Sequence, residues 1–153
     1  MSTYLNSNDV INGGEGVAYA KIGENNEELF YAKSIQATAE KSKSDVTPIG
    51  RRVTGHKSGR INITGTMTLY YLSPLFRRML YEYKESGRDS YFNMVVENND
   101  PASAAGKQTI LLIGVNLDSV ILGQLDGTAE DALEEEVPFT AEDWTPLNSF
   151  TTI

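Results

Sequence analysis

From Gly16 onward the chain alternates apolar and polar residues in short runs, and this period of two, interrupted once by a period near 3.6, predicts a strand-rich fold. Residues 16–22, GVAYAKI, read as a short strand, and GENNEE at 23–28 supplies the Gly and Asn that turns favour. The predicted hairpin partner is the longer run 29–41, LFYAKSIQATAEK. It places Leu29, Tyr31, Ile35, Ala37 and Ala39 on a buried face, with Phe30, Ser34, Gln36, Thr38 and Glu40 opposite. Residues 1–14 are polar, rich in Asn and Ser and without a period, and are expected to form a mobile N-terminal segment ordered only against something else.

Residues 60–72 alternate Ile61, Ile63, Met67 and Leu69 with Asn62, Thr64, Thr66, Thr68 and Tyr70, a half-buried strand in which Gly65 leaves a gap expected to be a bulge. One helix follows: Ser73 as N-cap, Pro74 at the first helical position, an apolar stripe of Leu75, Phe76, Met79, Leu80 and Tyr83, and Gly87 as the stop. Its mixed charges, Arg77, Arg78, Glu82, Lys84 and Glu85, mark a helix packed on a sheet rather than one lying in a membrane. Strands are predicted at 91–97 and 109–117, joined by a loop with an exposed tip, NNDPASAAG. Two more are predicted at 119–125 and at 135–144, where Pro138 points to an edge strand. The fold class is therefore mainly β, two packed antiparallel sheets in a sandwich or open barrel with one flanking α-helix, in a single domain of 153 residues.

Between the strands ending at 41 and starting at 60 lies a stretch in which Pro48, Gly50, Gly55 and Gly59 argue against regular structure, so a long functional loop is expected over residues 41–60. Charge sharpens this. Six of the 13 Lys and Arg residues (Lys41, Lys43, Arg51, Arg52, Lys57 and Arg60) sit there beside one acid, Asp45, whereas the chain after Lys107 has no basic residue and nine acids. The chain is thus polarised between a basic arm and an acidic end that includes Glu130, Asp131, Glu134, Glu135 and Glu136. A net charge of -8 opposes general nucleic-acid binding, leaving the arm alone as a polyanion site. The absence of cysteine excludes disulfides and thiolate chemistry and fits a reducing compartment. No apolar run approaches the roughly 20 residues a spanning helix needs, and no signal peptide is expected at the N-terminus.

Catalytic and cofactor motifs fail on inspection. GRRVTGHKS at 50–58 approaches the phosphate-loop pattern, but His56 displaces Lys57 and a strand, not a helix, follows. Asn62-Ile63-Thr64 fits a glycosylation acceptor only in a secreted chain. His56 is the single histidine and has no orienting carboxylate that the sequence can place, and the acids at 130–136 lack the spacing of a calcium loop. No enzyme, no cofactor and no metal site are expected.

Four segments carry a family resemblance: KSDV at 43–46, GRRVTGHK at 50–57, GTMT at 65–68 and LEEEVPFTAED at 133–143. They resemble the XkdM-like tail tube proteins of contractile phage tails and PBSX-type defective prophages, and the likeness runs from about residue 10 to 144, departing at the N-terminus and at 98–107. The resemblance implies a fold related to the Hcp tube protein of type VI secretion and a structural subunit that self-assembles into stacked hexameric rings. The rings would form a hollow conduit for DNA, which passes without specific binding, or for an effector. It implies as partners the tail sheath, tape measure, baseplate and tail terminator proteins, a place in the tail of a phage or phage-like particle assembled in the bacterial host cytoplasm, and no membrane. In such assemblies a long loop between the second and third strands reaches into adjacent subunits, and residues 41–60 fall in that position.

Ring subunits need two complementary, non-identical surfaces. The candidates for inter-subunit contact are Lys41, Lys43, Arg51, Arg52, His56, Lys57 and Arg60 on the arm, and Glu134, Glu135, Glu136, Glu142 and Asp143 near the C-terminus. A small β-rich module that clamps RNA or another polyanion with the Gly/Arg loop is the alternative reading.

Overall fold

A computed structural model describes residues 14, 16–22, 25–28 (backbone only), 32–103, 105–128 and 130–150. Eight strands and one helix follow the order β1 (Gly16–Ile22), β2 (Asn25–Glu28), β3 (Ala32–Val46), β4 (Gly55–Tyr70), α1 (Leu75–Ser86), β5 (Phe92–Asn99), β6 (Lys107–Leu117), β7 (Glu134–Ala141) and β8 (Asp143–Asn148). All pairings are antiparallel, along the path β2-β1-β5-β6-β7-β4-β3, and β8 pairs with β6.

β6 belongs to two sheets. Its first part lies between β5 and β8, while Asn116 and Leu117 pair with Thr140 and Phe139 of β7. The change of partner falls at Gly114, which has φ +68° and carries no Cβ; one there would lie 2.9 Å from Glu142 Oε2. The left-handed backbone favours glycine, and any Cβ there would displace the Glu142 side chain. The two sheets wrap one core, built from Ala18 and Ala20 of β1, Ile63, Met67 and Leu69 of β4, Phe92 and Met94 of β5, Leu112 and Val115 of β6, and Val137 and Phe139 of β7. The helix adds Phe76 and Met79, with the Phe76 ring 6.1 Å from that of Phe92. The mainly β architecture with one packed helix is the predicted one.

Several local expectations are corrected. β1 pairs with β2, not with the strand that follows: Ile22 faces Asn25 and Tyr19 faces Glu28, so the turn-rich residues are largely strand. β3 instead pairs along its whole length with β4, and of its predicted buried face only Ile35 is half-buried, with Ala37 and Ala39 exposed; Leu29, Phe30 and Tyr31 lie outside the described residues, as does the N-terminal segment apart from Gly14. Gly65 is in regular register opposite Ala37 and Phe139, without a bulge; its missing side chain makes room for the Phe139 ring. The helix starts one residue late, with Pro74 as its N-cap and the Ser73 hydroxyl accepting from Leu75 N at 3.3 Å, and it ends as predicted on left-handed Gly87.

The loop after β5 is only partly exposed. Asp100 is buried and folds the turn by accepting from Ala102 N at 2.9 Å. Residues 119–125 form no strand; the β6–β7 ladder ends with Asp118 N donating to Pro138 O at 2.9 Å. Val120 still packs on the core, but Leu122 and Leu125 are exposed. The predicted edge strand at 135–144 is two strands, and β7 is interior, between β4 and β6. Pro138 is tolerated because its carbonyl faces Asp118, so its missing N–H lies on the side where the β6 ladder has just ended.

One ion pair is built into the core. Glu135 shares the inward parity of Val137 and Phe139 and is 2% exposed; Arg77 Nη1 donates to its Oε2 at 2.8 Å, and Nη2 donates to Ser73 O at 2.8 Å. The guanidinium also stacks 4.5 Å from the Tyr71 ring centroid, so it joins the helix, β7 and the end of β4. Burial lifts the Glu135 carboxyl above its ordinary value, and Arg77 pulls it only partly back.

This core can be tested by substitution and by pH. A methyl group at Gly65 collides with the Phe139 ring and comes within 2.6 Å of Gln36 O, so Gly65→Ala should cost about 1–3 kcal/mol in urea unfolding, with part of the loss recovered by a smaller Phe139→Leu partner. Arg77→Met leaves a buried carboxylate unpaired and should cost about 3–5 kcal/mol, most of it restored in the Arg77→Met/Glu135→Gln double variant. Because the folded chain holds the Glu135 proton more tightly than the unfolded one, stability from this group falls as pH rises from the ordinary glutamate value of about 4.3 through the raised one. The unsubstituted chain should therefore gain stability relative to Glu135→Gln on acidification from pH 7 towards about 4.5, as measured by urea midpoints.

Candidate assembly surfaces

The arm expected as an irregular loop is a two-stranded ribbon. β7 covers β4 only from Ile63 to Tyr70, and beyond that point β3 and β4 pair with each other alone, through Glu40–Asn62, Lys43–Ser58 and Val46–Gly55. A register shift between Lys41 and Lys43 breaks the ladder once, where Ser42 Oγ donates to Arg60 O at 3.2 Å over the bare Cα of Gly59. Pro48 to Arg51 makes the turn, with Arg51 N donating to Pro48 O at 3.4 Å and Gly50 at φ +86°, as the third position of a type II turn requires. The Pro and Gly residues that argued against structure therefore form a tip and its close strand contacts.

None of the other described residues covers this ribbon: residues 36–54 are exposed throughout, and so are residues 56–62. At the tip Ile49 is fully open and Val53 is 68% exposed, next to Arg51 and Arg52. His56 Nδ1 lies 3.0 Å from Asp45 Oδ1 across the ladder, an exposed pair that uses the arm's one acid. Lys41, Lys43, Arg51, Arg52, Lys57 and Arg60 form no ion pair among the described residues.

The C-terminal acids do not form one surface. Glu134, Glu135 and Glu136 oppose Tyr70, Leu69 and Thr68 at the end of β4 farthest from the ribbon tip. Glu134 accepts from Lys33 Nζ at 2.8 Å, which raises the lysine pKa through that hydrogen bond and charge. Glu135, expected at a subunit contact, is buried against Arg77 and is removed from the surface set; its position on the Val137 and Phe139 parity was the sequence signal that it needed a cation inside the chain. Glu136 is exposed. Glu142 and Asp143 lie elsewhere, at the corner between β7 and β8 near the base of the ribbon, where Glu142 covers Gly114 and Asp143 Oδ1 accepts from Trp144 N at 2.8 Å.

A further surface escaped sequence reasoning. Residues 118–128 and 130–133 leave the sheet and are tied back to the end of β4, through Tyr71 N donating to Leu133 O at 2.9 Å and Gln124 Nε2 donating to Glu134 O at 2.7 Å. Leu122 is 79% and Leu125 97% exposed on this loop, which also carries the exposed acids Asp118, Asp126, Glu130 and Asp131. Their apolar character suggested a strand and concealed an uncovered patch.

Strand edges complete the inventory. Among the described residues β2 is bonded only to β1, β3 only to β4 and β8 only to β6, so each presents one unpaired edge. A cleft between α1 and β6, lined by Met79, Leu80, Asp89, Ser90, Asn116 and Leu117, has a volume of about 10 Å³, room for one water. Among the described residues no cluster of metal-ligating side chains occurs and no helix is long and apolar enough to cross a membrane.

The fold has counterparts among known proteins. The fold matches a chain of the sheath/tube terminator of the PVC extracellular contractile injection system in its extended state, with a TM-score of 0.68 at 10% identity over 96% of this chain and 100% of that one. It also matches a chain of the anti-feeding prophage (AFP) baseplate, with a TM-score of 0.66 at 15% identity over 96% and 97%. In sequence, the chain is 39% identical to the phage-like element PBSX protein XkdM of Bacillus subtilis (strain 168) across 140 residues, 92% of each protein. A family model described as phage tail tube protein matches residues 3–148, and the chain belongs to that family.

Proposed function

We propose that this chain is the inner-tube subunit of a contractile phage tail or phage-like particle, closing into hexameric rings that stack into a hollow conduit for DNA or an effector. The observation that carries this reading is β3, a 15-residue strand that, among the described residues, is bonded along one edge only. A long open edge left in water is a site of uncontrolled pairing unless another chain occupies it. β8 offers a second open edge in the other sheet, so β3 of one copy and β8 of the next can join head to tail and close a ring. The cations of the ribbon and the carboxylates still on the surface, Glu136, Glu142 and Asp143, supply charge complementarity between copies. The sheath, baseplate, tape measure and terminator proteins are the further partners of this reading, and assembly takes place in the host cytoplasm.

Negative-stain microscopy of the purified protein across a concentration series tests this directly: rings or tubes are expected. Salt-sensitive RNA binding by a monomer that never assembles would favour a polyanion-binding module instead. The edge itself can be tested with adjacent prolines. Successive residues of a strand point their N–H groups to opposite sides, so of Thr38→Pro and Ala39→Pro one breaks the β3–β4 ladder and the other removes only an outward donor. The second variant should remain folded by circular dichroism and lose rings; rings from a folded outward variant would sink the edge-pairing model.

A further inference from the structure

We infer that Asp126 is a site of covalent backbone isomerisation: its side-chain carboxyl closes onto the Gly127 nitrogen, and the ring reopens to leave an isoaspartyl residue in the loop after β6. The chemistry needs one chain and water, and it proceeds whether or not copies assemble.

Ring closure requires the backbone nitrogen after an aspartate to reach that aspartate's Cγ, and a side chain on the following residue obstructs the approach. Asp126 is the one aspartate in the chain followed by glycine. Gly127 also lies in open space: a Cβ built on it would meet no atom within 4 Å, and its φ is not left-handed. Asp126 Oδ1 accepts from Thr128 N at 3.0 Å and from Thr128 Oγ1 at 2.7 Å, which folds the carboxyl back over the Asp126–Gly127 peptide. Residues 125–128 are exposed and belong to no helix or strand, so water reaches the ring once it forms.

Other aspartates lack one or more of these features. Asp45 and Asp143 lie in the β3 and β8 ladders. Asp100 is buried and precedes Pro101, whose nitrogen has no hydrogen to lose. Asp89 is exposed, but the Ser90 side chain crowds the attacking nitrogen.

Atoms balance without a co-reactant. Gly127 N bonds to Cγ and gives up its proton while a carboxyl oxygen leaves as water, closing a five-membered imide. Water then adds at the α-carbonyl carbon and breaks its bond to Gly127 N. The chain now runs through Cβ and Cγ, and the carboxylate sits on Cα. Charge is unchanged, but the backbone is one carbon longer beside the exposed Leu125, between the Gln124 and Leu133 hydrogen bonds that tie this loop to the end of β4. The free carboxylate of the product makes aged chains methyl acceptors for an isoaspartyl carboxyl methyltransferase supplied with S-adenosylmethionine.

The test is to age the purified full chain at neutral pH and raised temperature and to map its chymotryptic peptides by electron-transfer fragmentation, which cleaves the isoaspartyl Cα–Cβ bond. Isoaspartate should accumulate at Asp126 faster than at Asp89, and the methyltransferase should label the peptide that carries it. Asn12-Gly13 deamidates to the same product, so labelling is read on the Asp126 peptide alone. Gly127→Val has room to fold with an unchanged urea midpoint and should lose most of the signal. Asp126→Glu, which would have to close a six-membered ring, should lose it as well. No isoaspartate at Asp126 in the aged chain, or a folded Gly127→Val chain that isomerises as fast as the unsubstituted one, overturns the inference. Neither result bears on the tube reading.

Discussion

β4 is longer than the core it serves. β7 covers it from Ile63 to Tyr70, where Ile63, Met67 and Leu69 are buried, and the remaining half projects with β3 as its one neighbour. A two-stranded ribbon has little stability of its own in water. This ribbon is held because its strands continue unbroken into a packed sheet, so the order of the projecting half is inherited from the hydrophobic half. Residues near the join, such as Gly65 beneath Phe139, therefore bear on the protruding arm as well as on the core.

The other end of β4 is organised by Arg77. Its guanidinium meets Glu135 of β7, the Ser73 carbonyl before the helix and the Tyr71 ring beside the start of the 118–133 region's anchorage. A buried ion pair of this kind contributes little net stability compared with apolar packing, since desolvation offsets most of the attraction. Its effect is positional. The contacts join the helix, β7 and the strand end, and the loop carrying Leu122 and Leu125 is tied to the same end by the Tyr71 and Gln124 hydrogen bonds.

The parts of this fold that could be read in the sequence are those where one face of an element is buried. Ile63, Met67 and Leu69 alternate because their neighbours face water, and the helix stripe of Phe76 and Met79 is visible for the same reason. Both faces of the ribbon are exposed in the single chain, so there is no hydrophobic alternation over 41–60 to betray a strand, and its glycines read as breakers. Only Gly50 sits at a left-handed position there; Gly55 and Gly59 are ordinary strand residues. The charge asymmetry was legible, and so was the family, through GRRVTGHK and LEEEVPFTAED. What the charges did within one chain was not, because whether Glu135 faces Arg77 or solvent depends on the register of β7 against β4, which pairs residues nearly 70 positions apart.

Register also bears on how one small chain can grow in two directions. Hydrogen-bonding edges lie to the sides of a strand, perpendicular to its course, whereas the ribbon tip and the 118–133 loop lie beyond its two ends. In the proposed assembly, pairing of β3 with β8 adds copies sideways and stacking of rings adds them lengthwise. Sideways growth curves with sheet twist and closes, ending when the last edge is paired. Lengthwise growth has no closure condition, since each added ring presents a fresh face. A tube of fixed bore and open-ended length follows from that difference, and its length would have to be set by another component.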